Sequence, residues 1–183
     1  MPSDTHCNAP ELHLLGEVAA LFGNLEFFVE STIWNLLVPE GGGEEGSRER
    51  QRFLMAQALT AEMSFDRKVH GLASMFRQRH ADAHDAELTE LVRVLFEAQS
   101  ERNALLHSAW NYSAESGGLF RTKASAKARN GLVRRFYAMP VEKLSATRDK
   151  IAEAQESLAS FAIAYVQVSD KPEKGATGGR TSG

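Results

Sequence analysis

The chain has 183 residues, of which 43% are hydrophobic and 25% charged, and its formal net charge is −3. This composition is typical of an ordinary globular domain, and it excludes a protein drawn to nucleic acid by net charge alone. Any contact with nucleic acid must therefore come from a local patch. Cys7 is the only cysteine, which excludes an internal disulfide and a thiolate zinc cluster and favours a reducing, cytoplasmic location.

The first residues, MPSDTHCNAP, are polar and irregular. They lack the basic and apolar regions of a signal peptide, and no uninterrupted apolar run is long enough to cross a bilayer. We therefore expect a disordered segment at 1–9 and no membrane association.

Apolar residues recur at helical spacing along most of the chain that follows. The first predicted helix begins at Pro10 and ends near Pro39, and its two adjacent apolar rows form a face wider than one neighbouring helix needs. The stretch EGGGEEGS is predicted to be a flexible acidic loop. A second helix is predicted from about Ser47 to Gln78.

A third helix is predicted to begin near Asp85, which would serve as its N-cap. Pro140 opens the last predicted helix, whose apolar residues continue to Val168. The tail, 169–183, lacks large apolar residues and is expected to be disordered.

The pattern changes between the third and last helices, at about 108–137. SAWNY and GLFRTKA carry aromatic residues and threonine and are separated by SAESGG, which predicts a β-hairpin. GLVRRFY is a candidate third strand. The predicted fold class is therefore mainly α, an antiparallel bundle of about four long helices with a small β-hairpin excursion before the last helix. One domain would span 10–168.

The stretch ERNALLHSAW, 101–110, places polar residues where the third helix should remain apolar. Arg102 follows Leu95 by seven residues, and a buried arginine is costly unless it is paired or faces a wet cleft. On a regular helix Asn103 and His107 lie about 40° apart, whereas Arg102 points about 140° from His107. Either the helix unwinds near His107 or the two residues meet counterparts from a second chain.

The segment Arg102-Asn103-Ala-Leu-Leu-His107 resembles the R-x4–6-H motif of the HEPN family, and residues 10–168 resemble the family in their broad helical pattern. The resemblance implies a metal-independent endoribonuclease that acts as a homodimer without a cofactor and leaves a 2′,3′-cyclic phosphate. In these terms His107 would be the general acid/base, Arg102 would bind phosphate and Asn103 would assist.

Other members of the HEPN family are non-catalytic helical interaction modules that bind a protein, a nucleotide or RNA. The family often works in toxin–antitoxin or phage-defence settings. RNA and an antitoxin or other protein are therefore the partners that the resemblance implies, beside a second copy of the chain.

Two alternatives stay open for this motif. Arg79 and His84 have the same spacing, although they lie in a predicted connection. Arg102 would have a structural role if it paired with a carboxylate such as Glu62 or Glu97, with His107 capping the last carbonyls of its helix.

The β excursion is rich in basic residues, with Phe120, Phe136 and Tyr137 interleaved. Such a surface can bind single-stranded RNA with a strong salt dependence, although a solvated hairpin face has the same composition. The candidate nucleic-acid-binding residues are Arg121, Lys123, Lys127, Arg129, Arg134 and Arg135.

His80 and His84 are four residues apart and could share a metal with Asp82 or Asp85. No third ligand has suitable spacing, so we predict no metal site.

Overall fold

A computed structural model describes residues 9–37, 46–113, 118–127 and 131–166. Residues 1–8, most of the acidic loop, Arg129 and the C-terminal tail lie outside these ranges. The expectations for those segments therefore stay predictions.

The described residues form helices and one small sheet. Confirming the predicted fold class, the protein is mainly α, and its sheet precedes the last α-helix. The elements are α1 (Ala9–Leu37), α2 (Gly46–Ala61), α3 (Phe65–His80), α4 (Asp85–Leu106), β1 (Ala109–Ser113), β2 (Gly118–Lys127), β3 (Gly131–Ala138) and α5 (Val141–Phe161), which continues as a π-helical turn, Ala162–Val166.

Helix α1 crosses the core and packs against α3, α4 and α5. Its buried residues step by three or four, as one face of an α-helix requires. Burying each large side chain contributes about 1.5–3 kcal/mol. The buried row of α1 consists of Leu14, Val18, Phe22, Leu25, Val29 and Ile33.

Beside this buried face, α1 also carries apolar residues that are exposed, namely Leu12, Phe27 and Phe28. Within the described residues, Pro10–Leu37 is long enough to cross a membrane, with a mean hydropathy of 1.4 over its most apolar window. Core helices of soluble proteins and signal sequences meet the same criterion. The finding rests on length and composition alone.

The prediction of one helix from Ser47 to Gln78 is wrong, because the chain breaks between Ala61 and Phe65. The hydroxyl of Ser64 accepts a hydrogen bond from the backbone N–H of Arg67 and caps the start of α3. A serine in this position stabilises a new helix start more than the interior of a long helix.

Asp85 does not act as the N-cap of α4, contrary to the prediction. The cap residue is His84, which has a left-handed backbone with φ 64° and makes no side-chain capping bond. The carboxylate of Asp85 instead accepts a hydrogen bond from Arg77 Nε at 2.8 Å. This ion pair joins the end of α3 to the start of α4.

Lys68 is a charged residue inside the bundle, with a side chain only 4% exposed. Its Nζ lies 2.6 Å from a carboxylate oxygen of Glu26 and also contacts Glu30, both on α1. Burial by itself lowers the pKa of Lys68, but the hydrogen bonds to Glu26 and Glu30 outweigh it and the pKa is raised. The ammonium group therefore stays charged and joins α3 to α1.

The sheet is antiparallel in the order β1-β2-β3. The first two strands form the predicted hairpin, and GLVRRFY supplies the third strand. The backbone N–H of Met139 donates to Leu119 O at 2.9 Å, and both side chains are buried. Trp110 packs against the helical core, so the sheet is held beside the end of α4.

Candidate functional site

The C-terminal end of α4 is capped by side chains from the segment that follows it. The hydroxyl of Ser108 donates to the carbonyl of Ala104 at 2.8 Å, and the guanidinium of Arg121 donates to the same oxygen. Trp110 Nε1 donates to Leu105 O at 3.2 Å. These bonds satisfy carbonyl groups that would otherwise lack partners at a helix end.

His107 takes part in this helix end only through its backbone, whose N–H donates to Asn103 O at 3.3 Å. Its side chain is exposed, and no hydrogen bond to the imidazole is found among the described residues. If the motif had a purely structural role, this side chain was expected to cap the last carbonyls of α4. In the structure Ser108, Arg121 and Trp110 supply those bonds.

A cleft of about 470 Å³ runs along α4 and reaches His107. Asn103 lies in it one turn before His107, as the helical spacing predicts. Most of the polar groups that line the cleft are uncharged. The lining residues include Phe96, Gln99, Ser100, Asn103, His107 and Ser108.

Arg102 lies on another side of α4 and does not line the cleft. Its Cζ is 4.9 Å from the centre of the Phe22 ring on α1, a cation–π contact. Its Nε is buried and has no hydrogen-bond partner in the described part of the chain. The divergence of Arg102 and His107 expected from a regular helix is therefore found in the structure of the single chain.

Arg102 nevertheless contacts the cleft through its neighbour. Its Nη1 donates to Asn103 Oδ1 at 3.0 Å. Because the amide oxygen accepts this bond, the amide nitrogen of Asn103 keeps its donors for a ligand in the cleft. Within the described residues, Arg102 pairs with neither Glu62 nor Glu97, and Glu97 instead pairs with Arg93.

The candidate RNA-binding residues of the sheet differ in their surroundings. The Cζ of Arg121 lies 4.9 Å from the centre of the Tyr137 ring, and its Nη1 donates to the Ala104 carbonyl at the end of α4. Its guanidinium therefore already has partners within the chain. Arg135 is exposed, and the strand register places Lys123 directly opposite it. Arg134 lies opposite Ala124, and Lys127 lies opposite Gly131.

The other Arg-x4-His segment, Arg79 to His84, lies where α3 meets α4. Arg79 Nη1 donates to Asn35 O at 3.5 Å, and the His84 ring packs on Tyr165 with 4.3 Å between centroids. His80 stacks on the buried Phe76 ring at 4.4 Å. Burial, with smaller effects of Arg79 and His84, lowers the pKa of His80.

No group of three or more histidine, cysteine or acidic side chains in the described ranges comes together in a way that could hold a metal ion. The His80 ring stacks on Phe76, and the His84 ring packs on Tyr165.

The other residues of the cleft were not predicted from the sequence to form a site. Phe96 and Gln99 continue the row that contains Asn103, and this spacing was the available signal. Ser108 begins the Ser-Ala-Trp stretch that favours this copy of the motif, but its place in the cleft was not predicted, because its position depends on how the chain leaves α4.

Comparisons with protein-family models, curated proteins and solved structures find no match to this chain.

Proposed function

We propose that the chain is a metal-independent endoribonuclease of the HEPN type that acts as a homodimer. The observation that carries the proposal is the exposed imidazole of His107, which lies in a cleft with Asn103 and leaves the capping of α4 to other side chains. Histidine is the side chain best suited to proton transfer near neutral pH.

In the proposed reaction, the 2′-oxygen of a ribose attacks the adjacent phosphorus while His107 accepts the 2′-hydroxyl proton. The P–O5′ bond breaks, the 5′-oxygen takes a proton from an acid, and the products are a 2′,3′-cyclic phosphate and a 5′-hydroxyl. The amide N–H groups of Asn103 would donate to a phosphate oxygen. Arg102 is then a positioning residue, since it holds the amide oxygen.

The reaction needs one base and one acid, and among the described residues His107 is the only histidine that lines this cleft. A two-fold dimer that brings two clefts together would supply the second imidazole. The exposed apolar residues of the molecule are consistent with an interface between copies. Light scattering of the purified protein is expected to give the mass of a dimer.

The experiment compares wild type, His107→Ala and the matched control His84→Ala on a mixed RNA pool in EDTA. We expect wild type and His84→Ala to cleave, and His107→Ala to be slower by about 10²-fold or more. The cleaved ends should carry cyclic phosphate. Cleavage that survives in His107→Ala, or that is absent from wild type across the pool, would contradict the proposal.

A second candidate function is a non-catalytic interaction module. It is favoured by four large apolar residues of α1 and α2 that are more than half exposed, namely Phe27, Leu54, Met55 and Leu59. Exposed apolar side chains of this size are found at protein interaction sites. In this case His107→Ala and wild type would behave alike toward RNA, and Leu59→Ser would weaken association.

A further inference from the structure

The cleft on α4 extends well beyond the residues of the motif. Phe96 and His107 are eleven residues apart, which on an α-helix is about 16 Å along the axis and about 20° around it. Both residues line the same cleft. A ligand bound at His107 would therefore have room to continue to Phe96.

The far end of the cleft has an aromatic surface. Phe96 is half-buried, and its ring contacts the His70 ring of α3 with 5.3 Å between centroids and 52° between planes. The ring is therefore held by a neighbouring helix while it also lines the cleft. A ring held in this way offers a stacking surface for a planar group at low entropic cost.

The polar groups between Phe96 and His107 are amides and hydroxyls. Gln99 and Asn103 each have a carbonyl oxygen and an NH₂ group, and Ser100 adds a hydroxyl. Amides pair with the edges of bases, whereas phosphates are bound chiefly by arginine and lysine. This lining therefore suits a nucleobase better than a run of phosphates.

We propose that Phe96 and Gln99 form a subsite for one unpaired nucleobase, with the base stacked on Phe96 and its edge bonded by Gln99. The inference rests on the proposed function in one respect, since that function makes RNA the ligand. The subsite binds a nucleotide next to the scissile linkage and selects single-stranded RNA, because a base within a duplex cannot reach the ring.

The test measures binding separately from cleavage. Fluorescently labelled 2′-O-methyl hexamers of adenosine or uridine lack the attacking hydroxyl, and an abasic hexamer of the same charge lacks the base. We expect wild type to bind the base-containing hexamers more tightly than the abasic one. Phe96→Leu should weaken binding of the base-containing hexamers by about 10-fold or more and leave binding of the abasic hexamer unchanged.

Three further variants serve as controls for this test. Phe96→Tyr keeps the ring and should bind like wild type. Gln99→Leu should change the preference between adenosine and uridine more than the affinity for the abasic hexamer. Phe53→Leu makes the same substitution at an exposed phenylalanine of α2 that does not line the cleft, and it should have no effect.

The proposed subsite is refuted if wild type binds no hexamer or binds the abasic hexamer as tightly as the base-containing ones. It is also refuted if Phe96→Leu binds the base-containing hexamers like wild type. If wild type cleaves RNA while Phe96→Leu binds normally, the nuclease proposal stands without this subsite. If wild type leaves RNA intact while Phe96→Leu loses base-dependent binding, the subsite stands and catalysis by His107 is refuted.

Discussion

Two segments with the same Arg-x4-His spacing lie near opposite ends of α4. At one end the rings of His80 and His84 pack on Phe76 and Tyr165. At the other end His107 projects into a cleft, and Arg102 holds the amide of Asn103. The spacing alone therefore does not determine what the residues do. Both His84 and His107 are exposed, and they differ in their neighbours: the His84 ring packs on Tyr165, whereas His107 lines a cleft with Asn103.

Loss of the buried ring beneath the first segment should give the largest effect. Phe76 is fully buried and contacts His80, Phe161 and Tyr165. We expect Phe76→Ala to reduce the free energy of unfolding by about 3–5 kcal/mol, through lost transfer energy and the remaining cavity. Phe96→Ala, at a half-buried ring near the second segment, should cost less than half as much. Urea unfolding of both variants measures the difference in the free energy of unfolding. Equal losses in the two variants would contradict the expected difference between the two segments.

The arginines of the two segments should differ nearly as strongly in activity. Arg102→Ala is expected to lower RNA cleavage by about 10²–10³-fold, because the Asn103 amide loses the bond that orients its donors. Arg79→Ala should leave cleavage unchanged. Single-turnover rates under matched conditions, with melting curves to verify folding, provide the measurement. Equal activity of Arg102→Ala and wild type would show that the amide needs no such orientation.

The sheet beside the second segment should separate structural from RNA-binding arginines. Arg121→Ala is expected to reduce stability by about 1–2 kcal/mol, since the Ala104 carbonyl loses a charged donor. Arg135→Ala should leave stability unchanged. It should lower the slope of log affinity against log salt concentration by about 1, as expected for the loss of one phosphate contact. Thermal melts and salt titrations test the pair. The reverse pattern would assign RNA binding to Arg121.

The smallest expected effect is a pH dependence from His80. Burial, then Arg79 and His84, lowers its pKa below the usual value of about 6.5. The unfolded chain therefore binds the proton more readily, and stability present above about pH 6.5 is lost as the pH falls through the folded-state pKa. We expect His80→Phe to flatten the fall of the melting temperature between about pH 7 and pH 5. Measurements near pH 8 are the control, and an unchanged slope would contradict the assignment.

The sequence predicted the helical class and the hairpin because both have strong periodic signals. Leu88, Leu91 and Leu95 repeat at helical spacing and are buried in α4 as expected. The break before α3 was missed because apolar spacing continues across Ser64. The cap of this serine competes with a helix interior, and periodicity does not register that competition.

The candidate site was predictable only in its local part. The shared face of Asn103 and His107, and the divergence of Arg102, follow from helix geometry. The bond from Arg121 to Ala104 depends on strands that begin after the helix, and Phe22 is 80 positions away from Arg102 along the chain. Contacts of this range depend on tertiary packing, which local patterns do not specify.

The attachment of α2 has a kinetic consequence. This helix packs on α1 through Ala56 and Thr60, whose hydroxyl accepts a bond from the Trp34 indole at 3.0 Å, while Leu54, Met55 and Leu59 are exposed. Few buried groups must separate for α2 to detach, and such segments open as cooperative units below the global unfolding energy. The amide hydrogens of α2 should therefore exchange with solvent well before those of α4, and the apolar side of α1 would be uncovered transiently while the rest of the bundle stays folded.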